Sequence, residues 1–190
     1  MNTATKNLEE DHVHILKLIE VMEHVTRIDD PDIQHIEEIV EIIKNFADGI
    51  HHIKEENVFF PMLSKKGFPP EQGPVAVMLS EHVQGRKYVK GMEENINLYK
   101  AGNKPALGEV YLNMNSYAGL LKNHIAKENN VLFRMADNVL SESENNALLG
   151  KFADEEKKIS STGKNDYIRS IQTLTTFYKI EDKQIVKSEN

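Results

Sequence analysis

Two stretches of this chain place the same chemistry on the same spacing. HHIKEENVFFPM, from His51 to Met62, is nearly repeated as HIAKENNVLFRM, from His124 to Met135. Each puts His and Glu four residues apart, and on a helix positions four apart share a face, so His51/Glu55 and His124/Glu128 can each aim two ligands at one point. A further pair, His12 in EDH and His82 in SEH, precedes the two stretches at nearly the same interval. The chain thus reads as two similar halves, each contributing His and then His-x-x-x-Glu toward one central point.

All six residues fall on apolar stripes, and no Lys or Arg shares those stripes near them. A carboxylate at such a position costs several kcal/mol unless its charge is compensated, and two cations would provide that compensation. A single His on an apolar stripe is more often a satisfied core histidine, and a single His-x-x-x-Glu pair is commonly a surface contact. Six such residues in a repeated arrangement favour a shared metal site. Imidazole with carboxylate suits iron or manganese better than structural zinc, although selection in the cell leaves Mn and Zn open. The neighbouring Val58-Phe59-Phe60 and Val131-Leu132-Phe133 read as core packing that screens the site from water. Tyr117 reads as core as well, with a hydrogen bond to a bound ligand as the alternative.

These residues must be positioned by helices. Apolar residues recur at steps of three and four, and no convincing alternation of period two is present. A first helix carries Leu8, His12, Ile15, Ile19 and Met22 on one stripe, and Asp30-Pro31 supplies a cap and first-turn proline for a second. The second stripe runs through Val40, Ile43, Ala47, His51, Glu55, Val58 and Met62 to a break at GFPP and GP. A third helix holds Val75, Met78, His82, Gly85, Val89, Met92, Ile96 and Tyr99. After the AGNKP turn, a fourth holds Val110, Met114, Tyr117, Leu121, His124, Glu128, Val131 and Met135. Four long helices with short connections predict an all-α, up-down-up-down four-helix bundle over 1–140. Ser141 with Glu144 resembles a capping box opening a fifth helix, and Asn165 to about Tyr178 predicts a sixth. These form a C-terminal helical extension, 141–180, packing on the bundle, and 181–190 reads as a solvated tail.

With 190 residues, 39% of them hydrophobic, the chain can bury one core of its own but not two large ones. No apolar run approaches the roughly 18 residues needed to cross a bilayer, and the N-terminus MNTATKNLEEDH does not resemble a signal peptide, so a cytoplasmic protein without a membrane partner is expected. The absence of Cys excludes disulfides and thiolate ligands, leaving His and carboxylate for any metal. A formal charge of -7 without clustered Lys and Arg argues against nucleic acid as a partner. Oligomeric state is left open.

The motifs EDH (Glu10–His12), HHIKEE (His51–Glu56), SEH (Ser80–His82) and HIAKE (His124–Glu128) together resemble the hemerythrin-like, or HHE cation-binding, domains. The resemblance covers Leu8 to about Leu140, and the trailing helices resemble extensions found in many bacterial and archaeal members. It implies a hemerythrin-type bundle holding a non-haem centre of two iron ions, oxo- or hydroxo-bridged. Carried onto this chain, Glu55 and Glu128 are the bridges and His12, His51, His82 and His124 the terminal ligands. One departure is informative: oxygen carriers of the family have His-x-x-x-His on the third helix, whereas the residue four after His82 is Arg86. Some relatives recruit the residue after the second-helix His, here His52, whose counterpart in the other half is Ile125. His52 is either this extra ligand or a partly exposed neighbour. His14, His24 and His35 fall off the core stripes and read as surface residues.

The resemblance, with no Gly-rich phosphate loop in the chain, implies a di-iron protein binding or sensing O₂ or a related diatomic molecule. The missing third-helix His keeps a di-iron oxidoreductase acting on peroxide or nitric oxide as the alternative, with no catalytic residue assigned. Iron storage, or repair of iron–sulfur centres, ranks last, because relatives of that kind carry a Cys-containing leading segment that is not found here.

Overall fold

Thr3 is extended, and its hydroxyl accepts from the Lys6 amide at 3.2 Å, a cap that starts helix α1, Ala4–Val25. In this computed structural model, which describes residues 2–159 and 163–180, regular structure is helical throughout. The second rod starts as α2, Ile33–Ile42, with Asp32 as its cap accepting from Gln34 N at 2.9 Å. The sequence placed this cap at Asp30. The chain instead bends at Asp29–Asp30 and reaches its cap only at the extended Asp32, leaving Pro31 buried just ahead of it. From Ile43–His52 and again from Glu55–Phe59 the rod is π-helical, and it ends as α3, Phe60–Ser64.

Helix α4, Gly73–Lys100, stops at a Schellman turn. Gly102 takes φ 102°, its amide bonds Tyr99 O and that of Asn103 bonds Leu98 O, both at 3.0 Å. After it come α5, Ala106–Lys127, a π-helical turn, Glu128–Leu132, and α6, Phe133–Val139. Rods α1, α2–α3, α4 and α5–α6 form the four-helix bundle, and α4 packs most extensively on α5. Two further helices follow, α7 (Glu142–Ile159) and α8 (Lys164–Phe177). The predicted capping box opens α7: Ser141 N donates to Glu144 Oε2 at 2.9 Å and Glu144 N donates to Ser141 Oγ at 3.3 Å. Helix α7 lies across α1 and the π-helical part of the second rod, and α8 against α1 and α2. The tail expected at 181–190 lies outside the described residues. No helix among the described residues is long and apolar enough to cross a membrane.

The π-helical segments change which residues face inward. Their i→i+5 bonding widens the turn and adds one residue to the count between stacked positions. In the second rod this brings the adjacent His51 and His52 inside together with Glu55, at 1%, 4% and 0% exposure. After Glu128 the same effect shifts the inward stripe to Leu132, Phe133 and Ala136, whereas Val131 and Met135, expected in the core, are 50% and 37% exposed.

Apolar burial is split into two clusters. One includes Ile15, Ile19, Phe46, Ile50, Met92 and Met114; the other includes Leu8, Phe59, Phe60, Leu63, Met78 and Phe133. His12 falls between Leu8 and Ile15 along α1, so the polar residues occupy a layer between two hydrophobic cores.

Candidate metal centre

The structure brings all seven sequence-predicted residues into that layer. His12, His51, His52, Glu55, His82, His124 and Glu128 are all buried. Their ligand atoms form two groups, His12/His51/Glu55/Glu128 and His52/Glu55/His82/His124, each within 4.8 Å of one another. His12 Nε2 lies 2.9 Å from His51 Nε2, and His82 Nε2 lies 3.2 Å from His124 Nε2. Glu128 Oε2 is 3.2 Å from His12 Nε2 and 3.3 Å from His124 Nε2. Glu55 faces His51 Nε2 at 3.6 Å through Oε1 and His82 Nε2 at 3.4 Å through Oε2. Each carboxylate therefore reaches imidazoles from both halves of the chain.

The opposite edge of every imidazole faces an acceptor. The Nδ1 atoms of His12, His51, His52, His82 and His124 meet Asn129 Oδ1 (2.7 Å), Asp11 Oδ2 (3.4 Å), Asp48 Oδ1 (3.2 Å), Glu56 Oε1 (2.8 Å) and Glu81 Oε2 (3.0 Å). The amide oxygen of Asn129 and the ionised carboxylates can only accept, so the proton belongs on Nδ1 and the Nε2 lone pair turns inward. Lone pairs then face one another and face carboxylate oxygens. Both oxygens of Glu55, both of Glu128 and His52 Nε2 are buried with no hydrogen-bond partner among the described residues. Five such atoms in one layer are intolerable without positive charge between them.

The electrostatics agree. Burial, reinforced by Glu128, raises the Glu55 pKa well above the carboxylate range. Burial opposes ionisation of Glu128 too, but His124 and His12 outweigh it and hold its pKa well down. Burial pushes His51 down to about 3 and lowers His52 and His82. His124 goes the other way, because Glu128 and Glu81 overcome its burial. With protein charges alone, the layer draws protons onto Glu55 and His124. Imidazole and carboxylate donors without thiolate suit a divalent or trivalent first-row cation, so the residues fit a pair of metal ions.

Several residues that serve this layer were missed in the sequence. Asp11 precedes His12 yet holds His51, and Glu81 precedes His82 yet holds His124. Glu56 and Asn129 each follow a central Glu and hold His82 and His12. Their signal was available: acidic or amide residues sit at matching positions of both halves, beside residues already singled out. The expectation that no cation lies near the site also needs correction. Lys54 is fully buried, and its ammonium reaches Asp11 Oδ2 at 2.5 Å instead of Glu55. Arg86 does more than replace a histidine: its guanidinium ties Asp48 to Glu56.

Of the remaining histidines, His14, His24 and His35 stay outside the layer, as expected, but are half-buried. His35 Nδ1 bonds Tyr178 Oη at 2.8 Å, and the His24 ring lies tilted against the same tyrosine at 5.5 Å, fastening the end of α8.

A cavity of about 180 Å³ reaches His52, His82 and His124 from the surface near Lys90. Val89, Leu120 and Tyr117 form part of its wall, and none of His12, His51 or Glu128 lines it. Gly85 leaves room there: a Cβ on it would lie 3.4 Å from Tyr117 Cε2.

The family model of the hemerythrin HHE cation binding domain matches residues 3–136. Among curated proteins, the chain is 32% identical over 88 residues to the iron-sulfur cluster repair protein YtfE of Escherichia coli O157:H7, covering 45% of this chain and 40% of that protein. It is 33% identical to the YtfE of Cronobacter sakazakii over the same shares. The matched region thus spans less than half the length of these relatives. No solved structure matches the chain.

Proposed function

Because the chain belongs to the hemerythrin HHE cation-binding domain family, matched over residues 3–136, we propose that it is a non-haem di-iron protein that binds O₂ or a related small molecule. One observation carries this reading: five imidazoles turn their Nε2 atoms onto two glutamates whose four oxygens have no hydrogen-bond partner among the described residues. The proposed ligands are His12, His51, Glu55 and Glu128 at one iron and His52, Glu55, His82 and His124 at the other, with Glu128 also reaching His124. Bound there, the irons would supply a Lewis-acidic, redox-active pair.

The protein side chains supply the rest. Asp11, Asp48, Glu56, Glu81 and Asn129 fix the tautomer and the orientation of the imidazoles, as outer acceptors do for metal-ligating histidines. Phe133, stacked on His12 at 5.6 Å, and Phe59, edge-on to Phe133, wall off water on one side. The cavity on the other side is smaller than the roughly 300 Å³ at which pockets for drug-sized ligands begin, and suits a diatomic molecule or peroxide. Burial raises the Tyr117 pKa, so its phenol stays protonated and able to donate into that cavity.

The test is elemental analysis of protein purified without added metal, with optical spectra before and after reduction. Two irons per chain and a spectral change when the reduced protein meets O₂ or nitric oxide are expected. Two zincs, or no metal, would overturn the di-iron reading; iron without any spectral response would overturn small-molecule binding.

A second reading is iron delivery for cluster repair, favoured by the names of the matched relatives, which are iron-sulfur cluster repair proteins. It ranks below the first because the match covers only 40% of the length of those relatives. Retention of both irons during incubation with an apo-acceptor protein would eliminate it. Sustained turnover of peroxide or nitric oxide, lost in Glu128→Ala, would instead establish an oxidoreductase.

A further inference from the structure

Behind His51 lies a buried ion network that the proposed ligands do not account for. Asp11 Oδ2 faces His51 Nδ1 at 3.4 Å and Lys54 Nζ at 2.5 Å. The fully buried Lys54 also donates to Asn7 Oδ1 at 2.9 Å and Glu156 Oε1 at 3.0 Å, and sits 5.5 Å from the Phe152 ring centroid. The other oxygen of Asp11, Oδ1, pairs with Lys164, which lies 3.6 Å from Glu156. Glu156 belongs to α7, and Lys164 opens α8.

The other half of the chain offers an internal comparison. Glu81 and Lys127 occupy the places of Asp11 and Lys54, and Glu81 likewise holds His124 and pairs with Lys127. Among the described residues nothing from α7 or α8 takes part there, and the Lys127 side chain is 41% exposed. The acceptors of His12, His52 and His82 are also all supplied by the bundle. Among the described residues, His51 is the one imidazole of the five whose acceptor is tied to the C-terminal helices.

We propose that α7 and α8 are positioning elements of the metal centre: Glu156 and Lys164 lock the Asp11 carboxylate, and through it His51, tightening the metal held by His12 and His51 selectively. The physical reason is rotational. Tethered at one oxygen a carboxylate can turn; tethered at both it presents a fixed lone pair to His51. Buried ion pairs contribute little net stability, and orientation is a better-supported use for this one. Outer partners of metal-bound histidines are worth about 10- to 100-fold in metal affinity.

The inference rests on the two-iron reading, and the experiment separates the two. Full-length wild type, Lys164→Met, Glu156→Gln and Lys164→Arg are loaded with Fe²⁺ anaerobically, and release into a chromogenic ferrous chelator is followed, with thermal unfolding measured alongside. Lys164→Met and Glu156→Gln are expected to release one iron at least about tenfold faster while the second leaves at the wild-type rate. Lys164→Arg, which keeps the charge, should release both irons as wild type does. Unchanged release of both irons in Lys164→Met and Glu156→Gln would overturn the proposal. Equal acceleration of both, with a matching fall in Tm, would overturn it too, because that is what a purely structural role gives. A wild-type protein that takes up fewer than two irons would defeat the two-iron reading, and this proposal with it.

Discussion

Arg86 Nη2 lies 2.7 Å from Asp48 Oδ1, and the same nitrogen reaches Glu56 Oε1 at 2.7 Å. One guanidinium thus holds the acceptors of two neighbouring imidazoles, His52 and His82. Arg86→Ala should free both carboxylates and weaken metal retention at the His52/His82/His124 group by about 10- to 100-fold. Since Arg86 is itself 39% exposed, folding stability should fall by no more than about 1 kcal/mol. Competition against a chelator and chemical denaturation read the two effects separately; a large stability loss with unchanged retention would contradict this assignment.

Glu55 belongs to both ligand groups, whereas His52 belongs to one. Glu55→Ala should therefore abolish binding of both metals, and His52→Ala should leave one. Metal-to-protein ratios after gel filtration decide the matter, and a His52→Ala protein that keeps two ions would remove His52 from the ligand set.

Burial pushes His51 down to about 3 from 6.5, and takes His52 and His82 down with it. These imidazoles are neutral when folded and protonated when unfolded, so below 6.5 the unfolded chain binds more protons. Stability from them is present above that value and is lost as pH falls from 6.5 toward 3. His124, whose pKa is raised against its burial by Glu128 and Glu81, acts in the opposite sense, with a contribution present in acid and fading as pH rises. Glu55, whose pKa burial and Glu128 raise well above the carboxylate range, acts in the same sense as His124, so the three neutral imidazoles are set against two groups that favour the folded state in acid. Asp11 and Asp48 are held below 3.8, despite burial, by bonds from His51 and His52 and by Lys54 and Arg86, and add a further loss at lower pH. Chelator-treated protein should lose stability between pH 7 and 5, measured as a falling urea midpoint. A midpoint that rises over this range would contradict the assignment of neutral imidazoles.

Phe133 is fully buried, stacks on His12 and meets Phe59 edge-on at 5.6 Å. Phe133→Ala should cost about 3–5 kcal/mol through the cavity it leaves. Because the apolar wall beside His12 opens, chelator access should also quicken. Equilibrium denaturation and metal release rates measure the two consequences.

Tyr117 offers a phenol to the wall of the cavity that reaches three of the histidines. Tyr117→Phe should leave metal content unchanged and shorten the residence of a bound diatomic molecule about fivefold, the worth of one hydrogen bond near 1 kcal/mol. Stopped-flow release of nitric oxide is the measurement, and an unaltered rate would reduce Tyr117 to packing.

The sequence by itself determined the helical class and the core of the candidate site. Period 3.6 put His12, His51, Glu55, His82, His124 and Glu128 on inward stripes, and burying a carboxylate without a partner is costly enough that the repeat could be read as cation chemistry. It did not determine anything that depends on a change in helical period or on distant elements meeting. The π-helical turn after Glu128 exposed Val131 and Met135 while Leu132 and Phe133 are buried as expected, a shift of the stripe that a constant period cannot show. His52 was open on the sequence because an α-helix turns neighbouring residues apart; the π-helical rod brings it in beside His51. Lys54 reads as a surface lysine until α7 and α8 close over it with Glu156 and Lys164, more than a hundred residues away. Helical period is a local property of the chain, whereas the partner of a buried charge is chosen by packing. The sequence marked the halves as unequal at His52 against Ile125; the tertiary structure decided the surroundings, closing the C-terminal helices over Asp11 behind His51 and leaving a cavity beside Arg86 that reaches His52, His82 and His124.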